Sequence, residues 1–224
     1  MKIIYHGHAF VEFVTGKHKI LSDPFVTGNP NCDVKPADVK CDFIIPTHGH
    51  GDNFGDTVEL AKKNDATVIG IYEIATYCGN KGVKAHPMNI GGGYNFPFGR
   101  VKLTMAQHSS SFPDGTYAGD AYGFIISAAG KNVYQAGDTG LFYDMKLIGE
   151  MHRIDCALLP IGDDFTMGVD DAVKAAEFVN ANTVIPIHYN TFDLIKSDAN
   201  DFKRKIESIG KKCIIMKPGD IYEL

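Results

Sequence analysis

Three wholly apolar residues, Phe43-Ile44-Ile45, stop at Pro46 and open directly into Thr47-His48-Gly49-His50-Gly51-Asp52-Asn53. This junction constrains the chain more than any other segment. A short apolar run bounded by a breaker reads as a buried strand. On extended backbone, residues two apart face the same way, so His48 and His50 offer two imidazoles from one strand end. Asp52 lies one step further, and the intervening glycines let the backbone turn tightly. Imidazole combined with carboxylate suits zinc, manganese, iron or nickel. The rest of the fold must therefore bring further ligands to this one strand end.

Three residues have the right context to do so. His108 follows a predicted strand at 101–106, and Asp138 follows a predicted hairpin of 123–128 and 132–136. His188 follows a predicted strand at 183–187. Small or polar neighbours flank each of them. Ligands carried on strand-end loops converge at one edge of a sheet, where a rigid site can be built. Other predicted strands cover 2–5, 10–14, 19–21, 67–70, 156–159 and 213–216. Predicted helices cover 57–64, 71–79, 170–180 and 199–209. The last is stopped by Gly210, and 170–180 opens on acidic residues as the helix dipole favours. Residues 33–39 read as a loop, and 91–99, rich in glycine and aromatics, as a loop leading to a hairpin. Strands followed by mixed strands and helices, twice over, imply two sheets packed face to face with helices outside. No linker or low-complexity segment divides the chain, so residues 1–224 are expected to form a single domain.

Composition narrows the partners. Hydrophobic residues make up 44% of the chain and charged residues 22%, enough for a full core. The net charge of −5 and the lack of a long basic run disfavour binding along a nucleic acid. The only compact basic stretches are Lys203-Arg204-Lys205 and Lys211-Lys212. No apolar run has the length of a membrane span or signal peptide, and a cytoplasmic location is expected. The cysteines Cys32, Cys41, Cys78, Cys156 and Cys213 are scattered and odd in number, which implies buried or incidental thiols rather than a disulfide framework.

The succession of HxHxD, a distant histidine, Gly137-Asp138-Thr139 and a final histidine resembles the metallo-β-lactamase superfamily. Four further segments narrow the likeness: His6-Gly7-His8-Ala9-Phe10, Ser22-Asp23-Pro24-Phe25, GDTGLF at 137–142 and PIGDDFTMG at 160–168. They resemble a bacterial family of metal-dependent hydrolases akin to the L-ascorbate-6-phosphate lactonase branch. The resemblance implies a four-layer αββα sandwich and a centre of one or two divalent ions, with zinc favoured over manganese, nickel or iron. Carried over by position, His48, His50 and His108 hold a first ion. Asp52 and His188 hold a second, and Asp138 bridges the two. Asp23 resembles a buried acid that orients a ligand histidine.

One position departs from the pattern. The superfamily motif is HxHxDH, and its last place is Asn53 here. Three versions stay open: two ions with a weakened second site, one ion, or a harder metal such as manganese. His8 is the natural compensator for the missing imidazole, and is equally a candidate proton donor to the leaving group. His6 is expected to be structural or to support a ligand. The expected reaction is hydrolysis by metal-activated water, with Asp52 or Asp138 orienting the water and His8 or His188 donating a proton. A small anionic ester, lactone or phosphodiester is the expected substrate. Ser109, Ser110 and Ser111 are candidates to contact it. Phe54, Tyr94, Phe96, Phe165, Tyr189 and Phe192 are candidates to line its pocket. The alternative is a metal-binding, non-catalytic regulator or interaction module on the same fold, and an iron oxidoreductase is a third reading. A homo-oligomer is compatible with the sequence but not demanded by it.

Overall fold

The computed structural model describes residues 1–224. Strands β1 (Lys2–Tyr5), β2 (Val11–Thr15) and β3 (His18–Ser22) run antiparallel, and β4 (Phe43–Ile45) then lies parallel to β3. Helices α1 (Gly51–Phe54) and α2 (Thr57–Asn64) lead to β5 (Thr67–Ile71), and α3 (Tyr72–Asn80) leads to β6 (Ala85–Met88). A second series starts with antiparallel β7 (Gly93–Phe96), β8 (Gly99–Met105), β9 (Tyr122–Ala128) and β10 (Lys131–Gln135). It continues through α4 (Met145–Met151), β11 (Cys156–Pro160), α5 (Val169–Phe178), β12 (Thr183–Ile187), α6 (Ala199–Ser208) and β13 (Lys212–Cys213). Finally β14 (Ile221–Glu223) returns to pair with β1. The result is two seven-stranded sheets, ordered β14-β1-β2-β3-β4-β5-β6 and β13-β12-β11-β10-β9-β8-β7.

Period-two alternation within the strands explains the layering. On β9, β11 and β12, the residues Phe124, Ile126, Leu158, Ile185 and Ile187 face the first sheet. They join Phe13, Ile20 and Ile44 in a cluster of 38 buried residues. The intervening Ile125, Ala157, Leu159 and Val184 face outward. There they meet Met145 of α4, Ala172, Ala175 and Ala176 of α5, and Phe202 and Ile206 of α6, in a second cluster of 20. Strands buried on both faces read as unbroken apolar runs, as CALLP and TVIPI do. Helices α2 and α3 cover β4, β5 and β6 of the first sheet. The four layers are the expected αββα sandwich. No helix is long and apolar enough to cross a membrane.

The topology places the key strand ends together. Strand β1 runs in the same direction as β3 and β4, and β8 in the same direction as β10, β11 and β12. The loops carrying His8, His48–Asp52, His108, Asp138 and His188 leave the C-terminal ends of β1, β4, β8, β10 and β12. They meet at one edge of the sandwich.

Some expectations shift. The strand expected at 213–216 ends at Cys213, because the chain peels away to return to the first sheet, where the Gly219 N–H donates to the Tyr5 carbonyl at 2.8 Å. Strand β6 carries His86 and Pro87, so it lacks a strand-like pattern. Helix α4 buries only Met145 fully and has little apolar periodicity to detect.

Phe13 and Phe124 meet edge to face between the sheets, with ring centroids 6.2 Å apart and both side chains fully buried. Replacing Phe124 by Ala removes this contact and leaves a cavity. Urea unfolding should show a loss of about 3–5 kcal/mol. A loss under about 1 kcal/mol would mean that the two sheets are not held by this layer.

Candidate metal centre

The strand β4 delivers His48 in a fully buried position, with His50 half-buried beside it and Asp52 in the first turn of α1. The rings of His48, His50 and His108 stand nearly perpendicular to one another, at 77° to 83°, with centroids 4.6–5.2 Å apart. His48 Nε2 and His50 Nδ1 face each other at 3.0 Å. One donor atom from each of the three histidines lies within 4.8 Å of the others. Behind His48 runs a relay. Asp23 Oδ1 accepts from the Thr47 N–H at 2.7 Å and from Thr47 Oγ1 at 2.9 Å. Thr47 Oγ1 in turn lies 3.2 Å from His48 Nδ1. With its proton given to Asp23, the hydroxyl accepts from His48 Nδ1–H, and Nε2 keeps its lone pair for an ion. Asp23 thus acts on the ligand through Thr47 rather than by direct contact.

The glycine between the two histidines has a different task from the one the sequence suggests. Its backbone is not left-handed. A Cβ at Gly49 would fall 2.4 Å from Ala118 Cβ, so close packing excludes any side chain. The Gly49 N–H also donates to Ser110 Oγ at 3.2 Å, which makes Ser110 a brace for the loop.

A second group forms on the other side of Asp138. His8, Asp52 and His188 each offer a donor atom, again within 4.8 Å of one another. His8 and His188 both adopt left-handed backbone, with φ of 58° and 52°. The His188 N–H donates to the His8 carbonyl at 2.9 Å, and Tyr5 Oη donates to the same oxygen at 3.1 Å. Thr191 Oγ1 engages His8 Nδ1 at 2.9 Å. That bond turns His8 Nε2 toward Asp52 Oδ2, 3.3 Å away, in an orientation that makes no hydrogen bond. Asp138 Oδ2 lies 3.0 Å from His188 Nε2 and 3.9 Å from His48 Nε2, between the two groups. Asn53 is fully buried beside Asp138. Its Nδ2 donates to Asp138 Oδ1 at 3.3 Å, while its own Oδ1 has no partner.

The electrostatics suit cation binding. Burial, with His108 and His50 adding to it, pushes His48 down to about 3 against the pull of Asp138, so its ring is neutral. Burial likewise lowers His8 and His108, against nearby carboxylates. Burial would raise Asp138, but His188 and His48 hold it far below the usual carboxylate range. Asp52 is also lowered, with His8 and His188 overcoming burial and Asp138. His188 is raised, because Asp138 and Asp52 overcome its burial. Burial pushes the Asp23 carboxyl up to about 8 despite its bonds to Thr47. The lowered imidazoles of His8, His48 and His108 beside the lowered carboxylates of Asp52 and Asp138, together with the unpartnered buried His8 Nε2, fit a divalent cation.

The comparisons with known proteins agree. Residues 18–189 match the beta-lactamase superfamily domain. A UPF0173 metal-dependent hydrolase of Anoxybacillus flavithermus is 53% identical over 228 residues, covering 100% of both chains. The chain belongs to the metallo-β-lactamase superfamily, in its family of UPF0173 metal-dependent hydrolases. A relative of the same name from Bacillus cereus is 52% identical over 219 residues, covering 96% of both chains. The solved structure of a metallo hydrolase from Ignicoccus hospitalis superposes with a TM-score of 0.91 at 37% identity, covering 100% of this chain and 98% of that one. An isothiocyanate hydrolase from Delia radicum gut bacteria shares the fold, with a TM-score of 0.79 at 18% identity, over 100% of this chain and 99% of its own.

In this superfamily member the centre opens into a cleft of about 350 Å³ lined by His50, Asp52, His108, Ser109, Asp138, Phe165 and His188. Of the aromatic candidates only Phe165 lines it. Phe192 packs against His8, with centroids 5.5 Å apart. Phe54 is buried against Tyr77 and Phe112. Tyr94 and Phe96 sit on β7 beside His86, and Tyr189 packs against the outer helical core. Of the three serines only Ser109 reaches the cleft, and Ser111 bridges to Tyr117. His6 makes a structural contact, with Nδ1 2.8 Å from Asp33 Oδ1. The contributions of Thr47, Thr191 and Ser110 carry no signature in the chain, since threonine and serine are ordinary loop residues.

Replacing Thr47 by Val keeps the shape of the side chain and removes the hydroxyl that links Asp23 to His48. Metal affinity measured by competition with a chelator should fall about 10–100-fold. An unchanged affinity would remove the relay from the account.

Proposed function

We propose that the chain, acting as one hydrolase domain, uses water to cleave a small ester, lactone or phosphodiester at this centre. The reading is carried by one observation: two three-residue donor groups lie on either side of Asp138 Oδ2 and open on a common cleft. His48, His50 and His108 would hold one divalent ion, Asp52, His188 and His8 a second, and Asp138 would lie between them. Zinc suits this mixture of imidazole and carboxylate, and manganese, nickel or iron remain compatible with it. When bound, such an ion supplies Lewis acidity and lowers the pKa of water from about 16 to about 7.

The protein's own groups then have distinct tasks. Asp52 and Asp138 border the cleft and are held ionised, so either can orient the attacking water and take its proton. His188 also lines the cleft and is the other candidate donor to the leaving oxygen, a role its Nε2 would fill only in place of holding an ion. His8 is fully buried, is not among the cleft-lining residues, and has Phe25 and Phe192 packed around it. A ligand role therefore suits His8 better than the donor role the sequence also allows. Asn53 holds Asp138 Oδ1, which leaves Oδ2 to face both donor groups.

The anionic substrate expected from the sequence finds no lysine or arginine among the lining residues, so the ions themselves would supply the positive charge. The lactone option rests on HGHAF, GDTGLF and PIGDDFTMG resembling a family of metal-dependent hydrolases akin to the L-ascorbate-6-phosphate lactonase branch. A cytoplasmic location, as expected from the sequence, is part of the same proposal.

Purified protein assayed on p-nitrophenyl acetate and bis-p-nitrophenyl phosphate should turn over at least one of them. His48→Ala and Asp138→Ala should each lower that rate by at least about a thousandfold, with an unchanged far-ultraviolet spectrum. Wild-type rates in either variant would refute the assignment. Tight metal binding with no turnover on either substrate would favour the non-catalytic module.

A further inference from the structure

Most phenylalanines of this chain are withdrawn from water. Of 14, only Phe165 and Phe192 are exposed. Both lie at the metal centre. Phe165 is 53% exposed and is the only apolar side chain lining the metal cleft, while Phe192 packs on the buried His8. Single exposed apolar side chains are ordinary, and Tyr72, Met151 and Leu194 are more exposed than Phe165; what sets Phe165 apart is its place in the lining of the metal cleft.

The backbone around Phe165 is built to keep it there. Asp163 and Asp164 both take positive φ, at 60° and 29°. Non-glycine residues adopt this region rarely, and aspartate more readily than most. The turn is closed by the Thr166 N–H donating to the Asp163 carbonyl at 2.7 Å and by the Asp163 N–H donating to the Met167 carbonyl at 3.0 Å. On either side, Ile161 and Met167 are fully buried, which anchors both ends of the turn. The Met167 N–H also donates to the Thr139 carbonyl at 3.0 Å, one residue beyond Asp138. The backbone that carries the ring is therefore anchored beside the reacting centre.

The charges beside it are also informative. The cleft lining contains Asp52 and Asp138 but no lysine or arginine, and Asp163 and Asp164 are exposed next to Phe165. With Asp52 and Asp138 engaged in holding cations, an anionic substituent packed against Phe165 would still find no lysine or arginine in the lining to pair with. An uncharged apolar or aryl group would instead lose water-exposed surface on both sides.

We propose that Phe165 is a specificity-determining residue that packs against an uncharged apolar or aryl substituent, and that the substrate is a neutral ester or lactone carrying one. The inference rests on the hydrolase reading above. In the reaction, water adds to the carbonyl carbon and the acyl C–O bond breaks. The alkoxy oxygen takes one proton to become an alcohol, and the carboxylic acid ionises and releases another. Phe165 takes no part in these transfers. It holds the substituent while the carbonyl lies over the centre.

The chain contains no tryptophan, so Phe165→Trp creates a single fluorescent reporter in the cleft. The metal-loaded variant is titrated with 4-phenyl-2-butanone, a ketone isostere of benzyl acetate that cannot be hydrolysed, and separately with inorganic phosphate. The ketone should shift the indole emission saturably, and phosphate at the same concentrations should not. In parallel, wild type and Phe165→Ala are compared on benzyl acetate and methyl acetate. The variant should raise KM for benzyl acetate about tenfold more than it raises KM for methyl acetate. Because Phe165 is exposed, the Ala variant is expected to fold. A response to phosphate and not to the ketone, or equal changes on both esters, would overturn the proposal. A saturable response to the ketone with no hydrolysis of either ester by wild type would uphold the apolar site and reject the ester-hydrolase reading instead.

Discussion

The contact on which the centre most depends is a backbone hydrogen bond between the two sheets. The His188 N–H, just beyond β12, donates to the His8 carbonyl, just beyond β1, at 2.9 Å. Both residues stand in left-handed backbone, which costs on the order of 1–3 kcal/mol each for residues with a Cβ. Such strain persists only where the surroundings over-determine it. Here they do: Tyr5 donates to the same carbonyl, Thr191 engages the His8 ring, and His188 Nε2 faces Asp138. The bond fixes the spacing of the two strand ends. Only at that spacing can a histidine from the first sheet and one from the second share Asp52 between them.

The donor groups differ in how they are supported. The first is largely prepared locally, because the loop after β4 carries His48 and His50 two residues apart and Thr47 engages His48 from the adjacent residue, with only His108 brought from the end of β8. The second is assembled over long distances, from β1, α1 and β12, with Thr191 placed 183 residues from His8 along the chain. Asn53 fits this division. In place of the imidazole of the usual motif it ties down Asp138, the carboxylate that faces both groups. The vacancy in the usual motif is thus matched by a histidine from elsewhere and by a use for the amide that remains.

This difference explains what was legible in the sequence. The strand and its HxHxD loop could be read directly, because periodicity and side-chain chemistry coincide within a few residues. His108, Asp138 and His188 could be read because each ends a strand of clear β pattern. The αββα layering followed from the same patterns and from the motifs of the superfamily. His8 was visible as a candidate, but its choice between ligand and donor was not. That choice depends on the left-handed turn at Gly7-His8 and on Phe25 and Phe192 closing over the ring, both consequences of packing between sheets. The aromatic candidates could not be ranked for the same reason. Phe54 neighbours the predicted ligand Asp52 in sequence and Phe165 neighbours none, yet the first is buried in the core and the second lines the cleft. Small helices and edge strands such as α1, α4 and β14 escaped because they bury too little to leave a pattern.

The central claim is that two donor groups exist and that His8 completes the second. It is tested most directly by counting metal ions per chain, using plasma mass spectrometry on protein purified without chelator. Wild type and Asn53→Ala should each hold close to two ions, and His8→Ala close to one. One ion in the wild type, or two retained in His8→Ala, would contradict the account.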